Sequence, residues 1–395
     1  MPIRSVCLRA IRAGATCAFA LLAVAVAAGA QGLDGLLSAG TWVPQPGERA
    51  QLALDLDGRA TEFRLLKHHE GTSILFAVRD RASGRDVAVV KTNSLSTNVG
   101  AEIYAWRLAV VLGCPEVVAP VSPVTLSGRS LAKLRDLLAG VSYGESRKED
   151  ARREVLVELD RVLAEGRGLP GAIKPWLDCF VQNRRLGTRD LLAETDAAAW
   201  LRADGPLPGD GTVALSQVSE LQEPRGVHFG RIPARRLAAD LADIMLLDAL
   251  MGQDDRFAGG NLHFWRDGGE RRREGGRSVM PLWDLGEVRL LALDNGAALR
   301  PGANTGLREL RGEIHPGVRV DRYDRGVVAR LRELRRQTAV ADSARVWEIL
   351  GLAGKRADLA ARRLAEVLDH LDGLAAARGE DLWLPDAALR DRRWP

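Results

Sequence analysis

Cysteine is scarce in this sequence, with four in 395 residues, and no Cys-x-x-Cys pair or zinc-ligand spacing occurs. A structural zinc site of the usual kind is therefore not expected. Excess charge is equally modest, 56 basic against 52 acidic side chains, and Arg4, Arg9 and Arg12 lie in the first thirty residues. Without those three the formal net charge of +4 falls to about +1, so the basic balance indicates no nucleic-acid partner. No apolar run reaches the roughly 20 residues that a membrane-spanning helix needs. Internal repeats and long low-complexity segments are missing, and a serine hydrolase is not expected. His68 and His69 adjoin no carboxylate motif, which argues against a metal site there.

The first segment does carry a pattern. Three arginines precede an apolar, alanine-rich stretch from Ala13 to Ala28, and Ala28-Gly29-Ala30 closes it. That is the form of a secretory signal peptide cleaved after Ala30, with a short membrane anchor as the alternative. Export implies that the product is periplasmic or secreted, with no stable membrane span after cleavage. Cys7 and Cys17 leave with the leader. Cys114 and Cys179 remain, and either one disulfide or two buried thiols fits them. About 365 residues, in a chain that is 46% hydrophobic, suffice for a large core divided over two lobes or domains.

Strand-like patterning runs from Gln51 to Asn93: Leu52, Leu54 and Leu56 alternate with polar residues, Ser73 to Val78 is apolar, and Asp86 to Val90 leads into Lys91. Thr97 and Asn98 are helix caps, so a helix is expected over Ala101 to Leu112, with Glu102, Ala105, Ala109 and Leu112 on one buried face. Helices are expected at about 129–139 and 148–165, and a short strand between Gly168 and Phe180. A long helix follows from Ala234 to Met251, then strands around Leu262–Trp265 and Leu290–Leu293. The tail, Val327 to Ala377, is mostly helical, with Leu364, Val367, Leu368, Leu371 and Leu374 as a core stripe.

Four features occur in an informative order: a lysine ending a strand, a glutamate early in the next helix, a helix ending in Gly252-Gln253-Asp254-Asp255-Arg256, and a strand ending in Leu293-Asp294-Asn295-Gly296. Taken singly each has an ordinary reading; Asn295-Gly296, for instance, is a strong hairpin signal. Together they supply what phosphoryl transfer requires: a cation for the nucleotide phosphates, a carboxylate to position it, a carboxylate near the attacking hydroxyl, and a carboxylate for a metal ion.

The run from Asp243 through Asp248 and Gly252 to Asp255-Arg256, the Asp294-Asn295-Gly296 turn, and Ala101-Glu102-Ile103-Tyr104-Ala105-Trp106 leading to Leu112-Gly113 resemble the secretory-pathway atypical kinases of the Golgi casein kinase and four-jointed type. More distantly they resemble the protein-kinase-like superfamily that includes phosphatidylinositol kinases and bacterial toxin kinases. The matching stretches cover about a third of the chain. The resemblance implies an α+β, two-lobed protein-kinase-like fold, with a small antiparallel-sheet N-lobe bearing one key helix and a mostly helical C-lobe. The expected organisation is a signal peptide over 1–30, an N-lobe over 31–180 with a helical insertion at about 129–167, a C-lobe over 181–380 with the catalytic and metal loops, and a tail over 381–395.

By the same resemblance Lys91 contacts the phosphates of ATP and pairs with Glu102, Asp255 is the catalytic base, Arg256 anchors its loop, and Asp294 with Asn261 holds Mg2+ or Mn2+. Gly71, Thr72 and Ser73 are candidates for a phosphate-covering loop, which works through backbone N–H groups and hydroxyls. The implied function is transfer of the γ-phosphoryl group to a hydroxyl, on a protein substrate. A nucleotide-binding pseudokinase acting as a scaffold shares the fold, and the presence of Lys91, Asp255 and Asp294 together favours activity. Two departures from the family pattern, Phe257 where histidine is common and Gln253 where asparagine is frequent, put the substrate class in doubt.

Overall fold

The computed structural model describes residues 41–66, 73–94, 97–177, 180–182, 195–208, 212–214, 231–253, 256, 261–266, 272–274, 277–279, 288–300, 302, 304–314, 316–339 and 343–385. The expected signal peptide, His68, His69, Gly71, Thr72, Cys179, Asp254, Asp255 and Phe257 lie outside these residues, and with Cys179 the question of a disulfide to Cys114.

The chain is an α+β protein. Helix α1 (Pro46–Leu52) precedes strands β1 (Thr61–Leu65), β2 (Leu75–Asp80) and β3 (Asp86–Thr92). Helix α2 (Val99–Leu112), strand β4 (Ser122–Leu126), helices α3 (Gly128–Ala139) and α4 (Arg147–Ala164), and strand β5 (Leu169–Pro175) complete the first half. The five strands form one antiparallel sheet in the order β1-β2-β3-β5-β4. Phe63, Phe76, Val78 and Val90 of the sheet share a core with Leu131, Leu134 and Leu138 of α3 and Val155, Leu159 and Val162 of α4.

The leucine alternation at 52, 54 and 56 does not make a strand. Pro46 opens a helix there, and Glu48 returns to the backbone N–H of Gln45 at 2.9 Å in a capping box that outweighs the period-two pattern. Helix α2 starts where its cap demands, since Asn98 accepts from the Ala101 N–H, and it ends at Gly113, which is left-handed at φ 77°. Rather than one face, nearly the whole of α2 is buried: one side meets β5, and the other meets the helices of the second half.

Those helices are α5 (Asp196–Leu201), α6 (Ala234–Met251), α7 (Thr305–Leu310), α8 (Arg325–Thr338), α9 (Ser343–Ile349) and α10 (Lys355–Arg378). Their apolar side chains, including Leu364, Val367, Leu368 and Leu371 of the expected stripe on α10, pack with α2 in the larger core. Short strands accompany these helices: β6 (Phe180–Gln182) precedes α5, and β7 (Thr212–Ala214) with β8 (Arg231–Pro233), β10 (Arg272–Glu274) with β11 (Arg277–Val279), β9 (Leu262–Arg266) and β12 (Val288–Ala292) follow it; β9 lies between β12 and β6 in a three-stranded sheet. Among the described residues no helix is long and apolar enough to cross a membrane.

Candidate functional site

The site is assembled from the ends of these elements. In the β3–β5 ladder Lys91 lies opposite Ala172 and Val89 opposite Lys174, so paired residues two apart put both lysines on one face of the sheet. Helix α2 crosses that face with Glu102 in its first turn. From the other direction Asp294 arrives just beyond the end of β12, held at a left-handed φ of 55° that aspartate tolerates better than most residues. The backbone N–H of Asn98 donates to the Gly296 carbonyl at 3.0 Å, which fastens the start of α2 to the Asp294-Asn295-Gly296 turn.

These placements bring four charges together. Lys91 Nζ lies 2.6 Å from Glu102 Oε1 and 2.6 Å from Asp294 Oδ1, while Lys174 Nζ lies 2.6 Å from Glu102 Oε2. Glu102 is fully buried and both lysines nearly so, whereas a third of the Asp294 side chain, 33%, stays exposed. Two ammonium and two carboxylate groups sum to zero.

Burial opposes ionisation of each, and the partners decide the outcome. The carboxylates of Asp294 and Glu102 hold Lys91 above its ordinary pKa despite burial. Lys174 and Lys91 overcome the burial of Glu102 and hold it below the usual carboxylate range. Asp294 is held low too, first by Lys91 and then by Lys174, against its own desolvation. Lys174 goes the other way: burial outweighs the pull of Glu102 and pushes its pKa down.

Behind this cluster Arg256 ties the loops together. Its guanidinium faces Asp248 of α6 with Nε to Oδ2 at 3.0 Å and Nη2 to Oδ1 at 2.9 Å. Nη1 donates to the carbonyls of Asn261 at 2.8 Å and Leu293 at 2.5 Å, and Nη2 to Asn295 Oδ1 at 2.5 Å. Gln253 is buried and donates from Nε2 to the Asp294 carbonyl at 3.1 Å. The segment after α6 and the turn after β12 are therefore cross-braced.

Of the residues expected at the site, Lys91, Glu102 and Asp294 meet directly and Arg256 braces the Asp294 turn. Asn261 is half-buried, and its carbonyl accepts from Arg256 and from the Leu293 N–H. Ser73 is buried and its hydroxyl accepts from Thr97 Oγ1 at 2.8 Å, which links the start of β2 to the cap of α2. Asp255, Gly71 and Thr72 lie outside the described residues. Lys174 was not anticipated; its only trace in the sequence is a lysine within the otherwise apolar run Ala172-Ile173-Lys174.

Gly140-Val141-Ser142-Tyr143-Gly144 does fit the Gly-x-Ser-x-Gly pattern, but it joins α3 to α4 and leaves Ser142 exposed, whereas the nucleophile elbow turns from a strand into a helix. A cavity of about 440 Å3 beside the N-terminus of α2, lined by residues such as Asn93, Val124, Gly171 and Arg356, includes none of the expected site residues. Among the described residues no group of three or more His, Cys, Asp and Glu side chains gathers to hold a metal ion. Compared with known proteins, the chain matches no protein-family model, and no curated protein matches it.

Proposed function

We propose that the chain is an exported, atypical protein-kinase-like phosphotransferase that moves the γ-phosphoryl group of ATP to a hydroxyl acceptor on a protein. The observation that carries this reading is the position of Lys91 Nζ, 2.6 Å from both Glu102 and Asp294. A lysine on the third strand of an antiparallel sheet, paired with a glutamate of the following helix and set beside an aspartate from a distant turn, is the arrangement that protein kinases use to hold phosphates and metal.

On this reading Lys91 turns from Asp294 to the α and β phosphates, and Glu102 fixes its direction. Asp255, next to the buried Arg256, accepts the proton of the acceptor hydroxyl as its oxygen attacks the γ-phosphorus and the bond to the β-phosphate oxygen breaks. Asp294 and Asn261 would hold Mg2+ or Mn2+. The residues fit such an ion, since a partly exposed carboxylate and an amide are hard oxygen donors, and Mg2+ at nucleotide sites takes one or two carboxylates plus phosphate rather than an all-protein cage. Such an ion would supply positive charge to offset that of the phosphates.

The test is nucleotide turnover with Mg2+ or Mn2+ by the parent chain, Asp255→Asn and Asp294→Ala. ADP formation is expected in the parent and abolished in both variants; equal activity in all three refutes the assignment. Tight nucleotide binding without ADP formation in the parent would replace the kinase by a pseudokinase that serves as a scaffold.

A further inference from the structure

The kinase reading employs Lys91, Glu102 and Asp294 and leaves Lys174 without a task. Yet Lys174 is 7% exposed, sits on the same sheet face as Lys91, and occupies the second oxygen of the same carboxylate at 2.6 Å. Glu102 therefore carries one lysine on each oxygen. A contribution to stability explains this poorly. Burial pushes the pKa of Lys174 down, and an apolar side chain at a sheet position covered by α2 would fill the space without desolvating a charge.

We infer that Lys174 is a positioning residue of the nucleotide site, the resident counter-charge that holds Glu102 in place while Lys91 is drawn toward phosphate. The inference rests on the kinase reading. In the arrangement described here Lys91 bridges Glu102 and Asp294. With phosphates bound, Lys91 divides its ammonium between them and Glu102, so Glu102 receives less of its charge. A buried carboxylate left with a weakened partner pulls the lysine back, because an unpaired buried charge is strongly disfavoured. Lys174 removes that conflict, since Oε2 keeps a full ammonium partner wherever Lys91 goes. The work is thus divided: one lysine is free to follow the ligand, and the other stays with the glutamate.

The experiment measures the Kd for Mg2+-ATP by calorimetry on the full chain for four proteins: the parent, Lys174→Met, Glu102→Gln and the double variant, with unfolding midpoints recorded for each. Lys174→Met is expected to weaken binding at least about tenfold, the worth of one charge-assisted hydrogen bond. Glu102→Gln should weaken it comparably, and the double variant should bind no worse than Glu102→Gln alone, because Lys174 acts through Glu102. A merely structural lysine would give losses that multiply. Multiplied losses, or unchanged binding in Lys174→Met, overturn the inference and leave the kinase reading standing. A parent that binds no nucleotide overturns both. If Lys174→Met does not fold, Lys174→Gln is put through the same comparison, and failure of both to fold assigns Lys174 to the core and overturns the inference.

Discussion

Removal of the Arg256 guanidinium is the sharpest test of how the site is braced. Its nitrogens reach Asp248, two backbone carbonyls and Asn295, and the side chain is 2% exposed. Burial already raises the pKa of Asp248 in spite of Arg256, so the carboxylate is ionised against the grain of its surroundings. Arg256→Ala strands that carboxylate and takes a donor from the Leu293 carbonyl, from Asn295 Oδ1 and from the Asn261 carbonyl, which keeps the Leu293 N–H. Breaking one side of a buried ion pair costs about 3–5 kcal/mol, and protonation of Asp248 limits the loss toward the lower figure.

Arg256→Lys discriminates between charge and shape. One ammonium can satisfy Asp248 but cannot span acceptors on three different segments, so about 2 kcal/mol of the loss should remain. The assay is urea unfolding of the parent, both single variants, Asp248→Asn and the Asp248→Asn/Arg256→Ala pair. The double variant should fall short of additivity by about 2 kcal/mol. A loss below about 1 kcal/mol for Arg256→Ala, set against that 3–5 kcal/mol range, or strict additivity in the pair, would refute the bracing argument.

Two further predictions concern the scaffold. A Cβ on Gly306 would sit 2.0 Å from the backbone oxygen of Asp248, so Gly306→Ala must push α7 away from α6 and should cost about 1–3 kcal/mol, as overpacking does; an unchanged melting temperature would contradict this. Glu149, near the start of α4, receives two hydrogen bonds from Arg152 and one from the Tyr143 N–H, and Arg152 is the first cause of a pKa lowered from 4.5 to about 2. A carboxylate depressed in this way contributes stability that is full above its unfolded value and fades as pH falls toward 2. Glu149→Gln should therefore be less stable than the parent at neutral pH and converge with it near pH 2, as followed by unfolding at a series of pH values; a constant gap would count against the ion pair.

What the sequence disclosed depended on how local the cause was. The bounds of α2 follow from Asn98 and Gly113, and those of α6 from an unbroken run of helix formers that ends in left-handed Gly252, all of them signals within a few residues. The Lys91–Glu102 contact was legible because the two lie only eleven residues apart, at the end of a strand and the start of the next helix. Where a capping box competed with alternating leucines, at 46–56, the pattern misled, since two leucines in a turn leave the same trace as two in a strand. Lys174 was illegible for a different reason: its partner lies 72 residues away, and only the β3–β5 register brings the two together.

That register also bears on why the cluster is charged at all. Four ionisable groups in contact, two of them lysines nearly out of water, are an inefficient way to hold a sheet to a helix, because well-packed apolar residues of similar volume commonly match or exceed buried ion pairs in stability. The surrounding surfaces show how readily the fold does the apolar version: α2 is otherwise packed through Ala101, Ala105, Leu108, Ala109 and Leu112. The Lys91, Glu102, Lys174 and Asp294 charges gather where Asp294 remains a third exposed, so the cluster has an open side. A metal ion offered to Asp294 alone meets Lys91 already bonded there, and an anion offered to Lys91 alone meets two carboxylates. Only a ligand that brings cation and anion together leaves every member compensated, and a metal-bound polyphosphate has that composition.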